Sequence, residues 1–185
     1  VSLFTKMDKL TEQGCRIVFV SATPIMTAGT KLLEFYQDRP IVRVFPVFLE
    51  CKDGKHGRRA ENFIKKRILD KGGLDDQYDR ILIFSDTSTR RLFDSTTFLL
   101  GDDVGIMHSQ YNEECQKITA DKRLKAKKTM CTSIAYNGVN FINEDEYIAV
   151  ISMVEDSTTA WNIIQQCGRV RNSIVDLYIV CDRGS

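Results

Sequence analysis

Apolar residues along the chain gather into seven short runs: Arg16 to Ala22, Val42 to Leu49, Arg80 to Ser85, Val104 to His108, Thr129 to Ser133, Tyr147 to Met153 and Leu177 to Cys181. Most are continuous rather than alternating, the pattern of strands buried on both faces. The stretches between them are polar with helical spacing. Asn112, Glu113 and Glu114 give an N-cap and first-turn acids ahead of a basic stretch to Lys128, and Ser157-Thr158 opens a segment carrying Ala160, Trp161, Ile163 and Ile164. Strand and helix alternating in this way predict an α/β fold, a parallel sheet with helices on both faces, whose ligands bind beyond the carboxyl ends of its strands. Pro24 to Asp38, containing Thr27-Ala28-Gly29-Thr30, is the candidate boundary, because the chain after it has strands enough for a sheet of its own.

A length of 185 residues suits about one domain with a sizeable core. Hydrophobic residues at 43% and charged residues at 28%, with only 11 Gly and 3 Pro, exclude disordered and collagen-like chains. The net charge of +1 means that any attraction for a polyanion comes from local patches, such as Lys52 to Lys71 and Lys117 to Lys128, each read most simply as a solvated helix face. Cys15, Cys51, Cys115, Cys131, Cys167 and Cys181 form no C-x-x-C pair, and His56 and His108 stand far from ligand spacing, so no metal site is expected. Cys15, Cys131 and Cys181 lie in or beside apolar runs, as small buried hydrophobes of a reducing compartment do. No apolar stretch approaches the roughly 20 residues of a membrane span. The expectation is an intracellular protein with no membrane partner.

Four short signals stand at the ends of predicted strands. Val20-Ser21-Ala22-Thr23-Pro24 closes the first; alone it is a strand end. Ile83 to Thr87, I-F-S-D-T, runs into Ser85, Asp86 and Thr87, which suit a helix N-cap and equally a phosphate held by free N–H groups and hydroxyls. Thr132 to Phe141, T-S-I-A-Y-N-G-V-N-F, offers the hydroxyls of Thr132 and Ser133, then Gly138 for close backbone approach, then Asn140. Ile163 to Asn172, I-I-Q-Q-C-G-R-V-R-N, places Arg169 and Arg171 on either side of one apolar residue, so that on a helix they would face two different targets. The guanidinium fork gives phosphate two parallel charge-assisted bonds.

Taken in order, S-A-T, strand-S-D-T, T-S-x-A-x-x-G-V-N and Q-x-x-G-R-x-R resemble motifs III to VI of the superfamily 2 helicases and translocases, over about Arg16 to Asp182. The resemblance implies a RecA-like C-terminal lobe over 39–185. Residues 1–38 would then be the last strand of a first lobe with the interlobe linker. By the same likeness Ser21, Ala22 and Thr23 would couple ATP hydrolysis to strand binding. Ser85, Asp86, Thr87, His108, Thr132 and Ser133 would touch a nucleic-acid backbone, and Gly138 and Asn140 the nucleotide. Gln165, Arg169 and Arg171 would complete catalysis, the arginines reaching the γ-phosphate. The partners implied are a single-stranded or unwinding nucleic acid, DNA favoured, and the first lobe of the same parent chain; the cofactor is ATP with Mg2+.

The chain departs from the family at Ser133 and Asn140, where many members have Asp, at Cys115, which stands where an Arg often follows the His-Gly segment (here His108-Ser109), and at Arg171, one residue earlier than the usual second arginine. The G-R-V-R form and the ending N-S-I-V-D-L-Y-I-V-C-D-R-G-S are most similar to the herpesvirus-type origin-binding helicases. There is no G-x-x-x-x-G-K-[ST] loop, and Asp145-Glu146, the only D-E pair, precedes a strand. The expectation is an ATP-dependent helicase in the parent and no hydrolysis by this stretch alone. A degenerate, non-catalytic nucleic-acid-binding or docking lobe is the alternative, and the motor part of a restriction enzyme or nuclease a third.

Overall fold

The computed structural model describes residues 42–49, 61–85, 90–108, 112–132, 139–154 and 158–182. The chain divides into two units, 1–35 and 36–185, and every described residue belongs to the second. Eight strands are described: β1 (Val42–Leu49), β2 (Arg80–Ser85), β3 (Val104–Met107), β4 (Lys128–Cys131), β5 (Phe141–Ile142), β6 (Tyr147–Met153), β7 (Val170–Arg171) and β8 (Ile174–Asp182). Six pair in parallel as one sheet, in the order β1-β8-β6-β2-β4-β3, while β5 and β7 pair with each other. The expected α/β class, a parallel sheet with helices on both faces, is the one observed. The run Arg16 to Ala22 and the boundary Pro24 to Asp38 lie outside the described residues.

The centre of the sheet is apolar on both sides, as its continuous runs require. Ile81 and Ile83 of β2 join Met130, Ile151 and Val180 on a first face, while Leu82 and Phe84 join Ile148, Val150 and Leu177 on the second. Phe63, a π-helical turn over Ile64–Ile68, α1 (Leu74–Gln77) and Leu99-Leu100 at the end of α2 (Arg90–Leu99) cover the first face. Cys115 and Ile118 of α3 (Asn112–Asp121), Ile163 and Cys167 of α4 (Ala160–Cys167), and β5 with β7 cover the second. The division follows the winding of the chain. Connections β1→β2 and β2→β3 run one way along the sheet, and β3→β4, β4→β6 and β6→β8 run the other way. Crossovers of constant hand then put the two sets on opposite faces. Gly73 turns the chain back beneath the π-helical turn, where a Cβ would lie 2.6 Å from the Ile68 carbonyl oxygen.

The edge strand β1 is secured by charge. Asp176 of β8 is 0% exposed and accepts from both Nε and Nη2 of its register partner Arg43 (2.8 Å each), from Tyr78 (2.6 Å) and from Tyr147 (2.5 Å). The Tyr78 and Tyr178 hydroxyls bond each other at 2.7 Å, Phe45 stacks on Tyr178, and the Arg43 guanidinium lies over the Phe45 and Tyr147 rings. One carboxylate thus ties β1, β6, β8 and the segment before β2, and its four bonds satisfy a charge that would be costly if buried alone. Among the described residues no helix is long and apolar enough to cross a membrane.

Burial first, then the hydrogen bonds to Asp176 and Tyr178, push the Tyr78 phenol well above its ordinary value of 10. The folded protein keeps that proton where the unfolded chain releases it, so this contribution to stability is intact below about pH 10 and falls as pH rises beyond it. Tyr78→Phe is expected to lower stability by about 1.5–3 kcal/mol at pH 7, the worth of a hydrogen bond to a charged group, and to flatten the alkaline decline. Urea midpoints from pH 7 to 11 check both; an unchanged alkaline slope would show that Tyr78 does not carry it.

Candidate phosphate site and sheet edge

Two separate groups of expected residues emerge. The first is built where β5 meets β7. Helix α4 starts at a capping box: the Thr159 hydroxyl accepts from Asn162 N (3.2 Å), and Asn162 Oδ1 accepts from Thr159 N (2.8 Å). Its apolar stripe, Ile163 and Cys167, faces the second-face core and leaves Gln165 half-buried. Gly168 closes the helix, donating to the Ile164 carbonyl at 3.0 Å. The chain then extends, and the Arg169 carbonyl accepts from Phe141 N at 2.7 Å, beginning the β5–β7 ladder that pairs Phe141 with Val170 and Ile142 with Arg171.

That ladder joins the third and fourth sequence signals. Val139, Phe141 and Val170 are buried in the second-face core, Asn140 between two of them is exposed, and Arg169 and Arg171 are half-buried on either side of the third. The alternation seats apolar anchors inward and turns the polar residues outward. Burial, and after it the like charge of Arg171, lowers the proton affinity of Arg169. Arg169 and Arg171 are neighbouring, partly buried guanidiniums, and a guanidinium fork can donate to two oxygens of an anion.

This corrects two expectations. Arg169 and Arg171 do not lie on a helix, because α4 has ended at Cys167: Arg169 stands in the turn that follows it and Arg171 in β7. Nor do they stand at the carboxyl ends of the main strands. Ile142 N donates to the Lys122 carbonyl (2.7 Å) in the turn leading to β4, and Arg171 lies just before the start of β8, so the pair sits toward the amino ends.

The second group is at the carboxyl edge, where β2, β4 and β3 are neighbours and Phe84, Cys131 and Met107 lie in register. Ser85, His108 and Thr132 follow these residues. Ser85 is 2% and His108 7% exposed. Thr132 is half-buried, with N and Oγ1 both directed to the Met107 carbonyl (3.0 and 3.4 Å). Ser21, Ala22, Thr23, Asp86, Thr87, Ser133 and Gly138 lie outside the described residues. Among the described residues no three His, Cys, Asp or Glu side chains gather as metal ligands.

No family model and no curated protein matches the chain. Among solved structures it is similar to the crystal structure of T. fusca Cas3-ADP, with a TM-score of 0.42 and 14% identity over 89% of this chain and 20% of that one. It is also similar to T. fusca Cas3-ATP, with a TM-score of 0.38 and 15% identity over 85% and 19%. The chain thus spans about a fifth of the length of these neighbours.

Because the Thr159 cap fixes where α4 begins, Thr159→Ala is expected to cost about 1 kcal/mol and to speed amide exchange in the first turn of α4 ahead of β2 and β6. Unchanged exchange at Asn162 and Ile163 would show that packing, not the cap, sets the start of the helix.

Proposed function

We propose that this chain is the second lobe of an ATP-dependent nucleic-acid helicase or translocase of superfamily 2, with 39–185 forming the lobe and 1–38 the end of the first lobe and the linker. The observation that carries this reading is the β5–β7 ladder, which sets Asn140 beside the Arg169–Arg171 pair: two stretches 29 residues apart in the chain become one cationic surface. Phosphoryl transfer depends on position and on stabilisation of charge spread over the transferred group. Arginine fingers contribute about 10^3 to 10^5 in rate, roughly 4–7 kcal/mol of barrier. Arg169 and Arg171 would supply that charge to a γ-phosphate held mainly by the first lobe, with Asn140 and Gln165 beside them. Mg2+ bound with the ATP would neutralise part of the phosphate charge, and its ligands belong to the first lobe.

The carboxyl edge of β2, β4 and β3 would carry the strand through Thr132 and the residues following each strand, gripping phosphates without reading bases. DNA is favoured over RNA through the likeness of Gly168–Arg171 and the chain's ending to herpesvirus-type origin-binding helicases. The edge and the arginine pair are separate, as a motor needs if nucleotide turnover is to be coupled to grip. A second reading, a degenerate lobe that binds without catalysis, draws on Cys115: where the family often has Arg, this chain has a buried core thiol.

In the protein extended upstream of Val1 to include a phosphate loop, single-stranded DNA should stimulate ATP turnover. Arg169→Ala should cut that turnover by about 10^3-fold or more while strand affinity, which should fall with rising salt, stays the same. Equal loss of turnover and affinity would assign Arg169 to the strand, and binding without turnover in the unaltered protein would establish the degenerate lobe.

A further inference from the structure

We propose that Asn143 is a positioning residue that sets the Arg169–Arg171 pair in place; the inference rests on the phosphate-site reading above. Asn143 follows β5 directly and is 4% exposed. Its primary amide takes the place of a strand partner. Oδ1 accepts from Leu124 N at 3.0 Å, and Nδ2 donates to the Leu124 carbonyl at 3.2 Å. The same nitrogen donates to Glu146 Oε2 at 2.7 Å, and Glu146 pairs with Arg80 at the start of β2. The Asn143 carbonyl accepts the Ser173 hydroxyl.

These bonds run to three different elements: the α3–β4 turn, the start of β6 and the β7–β8 turn. Ile142 N to the Lys122 carbonyl adds a further bond to the first of them, at 2.7 Å. Lys122 and Asn172, which flank the connections, both hold left-handed backbone, with φ of 52° and 61°. Such conformations persist where their surroundings enforce them.

A ladder of two residues per strand has little stability of its own. Its location is therefore set by its ends. One end is the Phe141–Arg169 bond, and the other, beside the Ile142–Arg171 register, is closed by Asn143 from β5 and Ser173 from β7. Removing the amide frees β5 from the α3–β4 turn and from Glu146 at the end nearer Arg171, leaving the Ser173 bond to the Asn143 carbonyl and the six-stranded sheet, whose ladders do not pass through Asn143, intact. The arginines then lose the spacing at which both meet one polyphosphate.

Tripolyphosphate is the probe, titrated calorimetrically into the full 185-residue chain under conditions where every variant is folded. Arg169→Ala and Arg171→Ala should each weaken binding about tenfold, and Asn143→Ala by a similar factor. Asn143→Ala combined with Arg169→Ala should bind no more weakly than Arg169→Ala alone, because the amide acts through the arginines. A purely structural role would lower the melting temperature of Asn143→Ala and leave the affinity of the folded protein at the wild-type value, which would overturn the proposal. Additive losses in the double variant would overturn it as well. If Asn143→Ala does not fold, Ser173→Ala removes one bond from the same closure and should weaken binding several-fold; wild-type affinity there is the contrary result. Wild-type affinity in both arginine variants would overturn the phosphate-site reading itself, and the role of Asn143 with it, an outcome distinct from arginine losses that Asn143→Ala fails to share.

Discussion

Strands that all enter a sheet from the same end can be joined only by chain that returns along one face, and the face is chosen by the direction of travel. Everything placed around this sheet obeys that constraint. The two connections that run toward β3 lay Phe63, Ile64, Leu74 and Leu100 over one face, and the three that run toward β1 lay α3, α4 and the β5–β7 pair over the other. Because the chain that leaves β4 and the chain that leaves β6 travel the same way, they share a face and come close enough to pair. The arginine pair and Asn140 meet for that reason, although the two stretches lie far apart in sequence.

Two polar centres hold what hydrophobic burial alone would leave loose. Asp176, with Arg43 and the tyrosines, joins an edge strand whose Val44 and Phe48 side chains remain exposed to the rest of the sheet. At the amino ends of the strands, Asn143 and Glu146 join the small ladder to β2, β4, β6 and β8 through side-chain bonds to backbone and to Arg80. Both are nearly fully satisfied networks in buried surroundings, the circumstance in which polar groups specify an arrangement and do not merely cost desolvation.

How much could be read beforehand follows the same physics. The runs Arg80 to Ser85 and Tyr147 to Met153 match β2 and β6 residue for residue, because strands buried on both faces are continuous apolar stretches with polar flanks. Helix α4 was legible in its apolar spacing, but its cap is Thr159, one residue past the expected Ser157-Thr158 opening, since hydroxyls in a row all fit the cap chemistry and only the reciprocal bond with Asn162 selects one. The β5–β7 ladder was not legible: two residues show no period, and the buried-exposed-buried order of Val139, Asn140 and Phe141 is too short to distinguish from a turn. The arginines stood out by type and order, while their departure from the helix depended on α4 stopping at Cys167. Ser85 and His108 mark strand ends correctly, and their burial is a tertiary property that no local pattern encodes. Asn143 gave no signal at all, because its partners at Leu124 and Ser173 are distant in the chain.

On the proposed reading, nucleotide phosphates and a nucleic-acid strand address different parts of this fold. Amide shift mapping of the isotopically labelled chain, titrated first with a non-hydrolysable ATP analogue and then with single-stranded DNA, tests it most directly. The account predicts that the nucleotide moves the amides of 139–142 and 165–171, and that DNA moves those of Ser85, His108 and Thr132. Nucleotide shifts gathered at the carboxyl edge, with 165–171 unmoved, would contradict it.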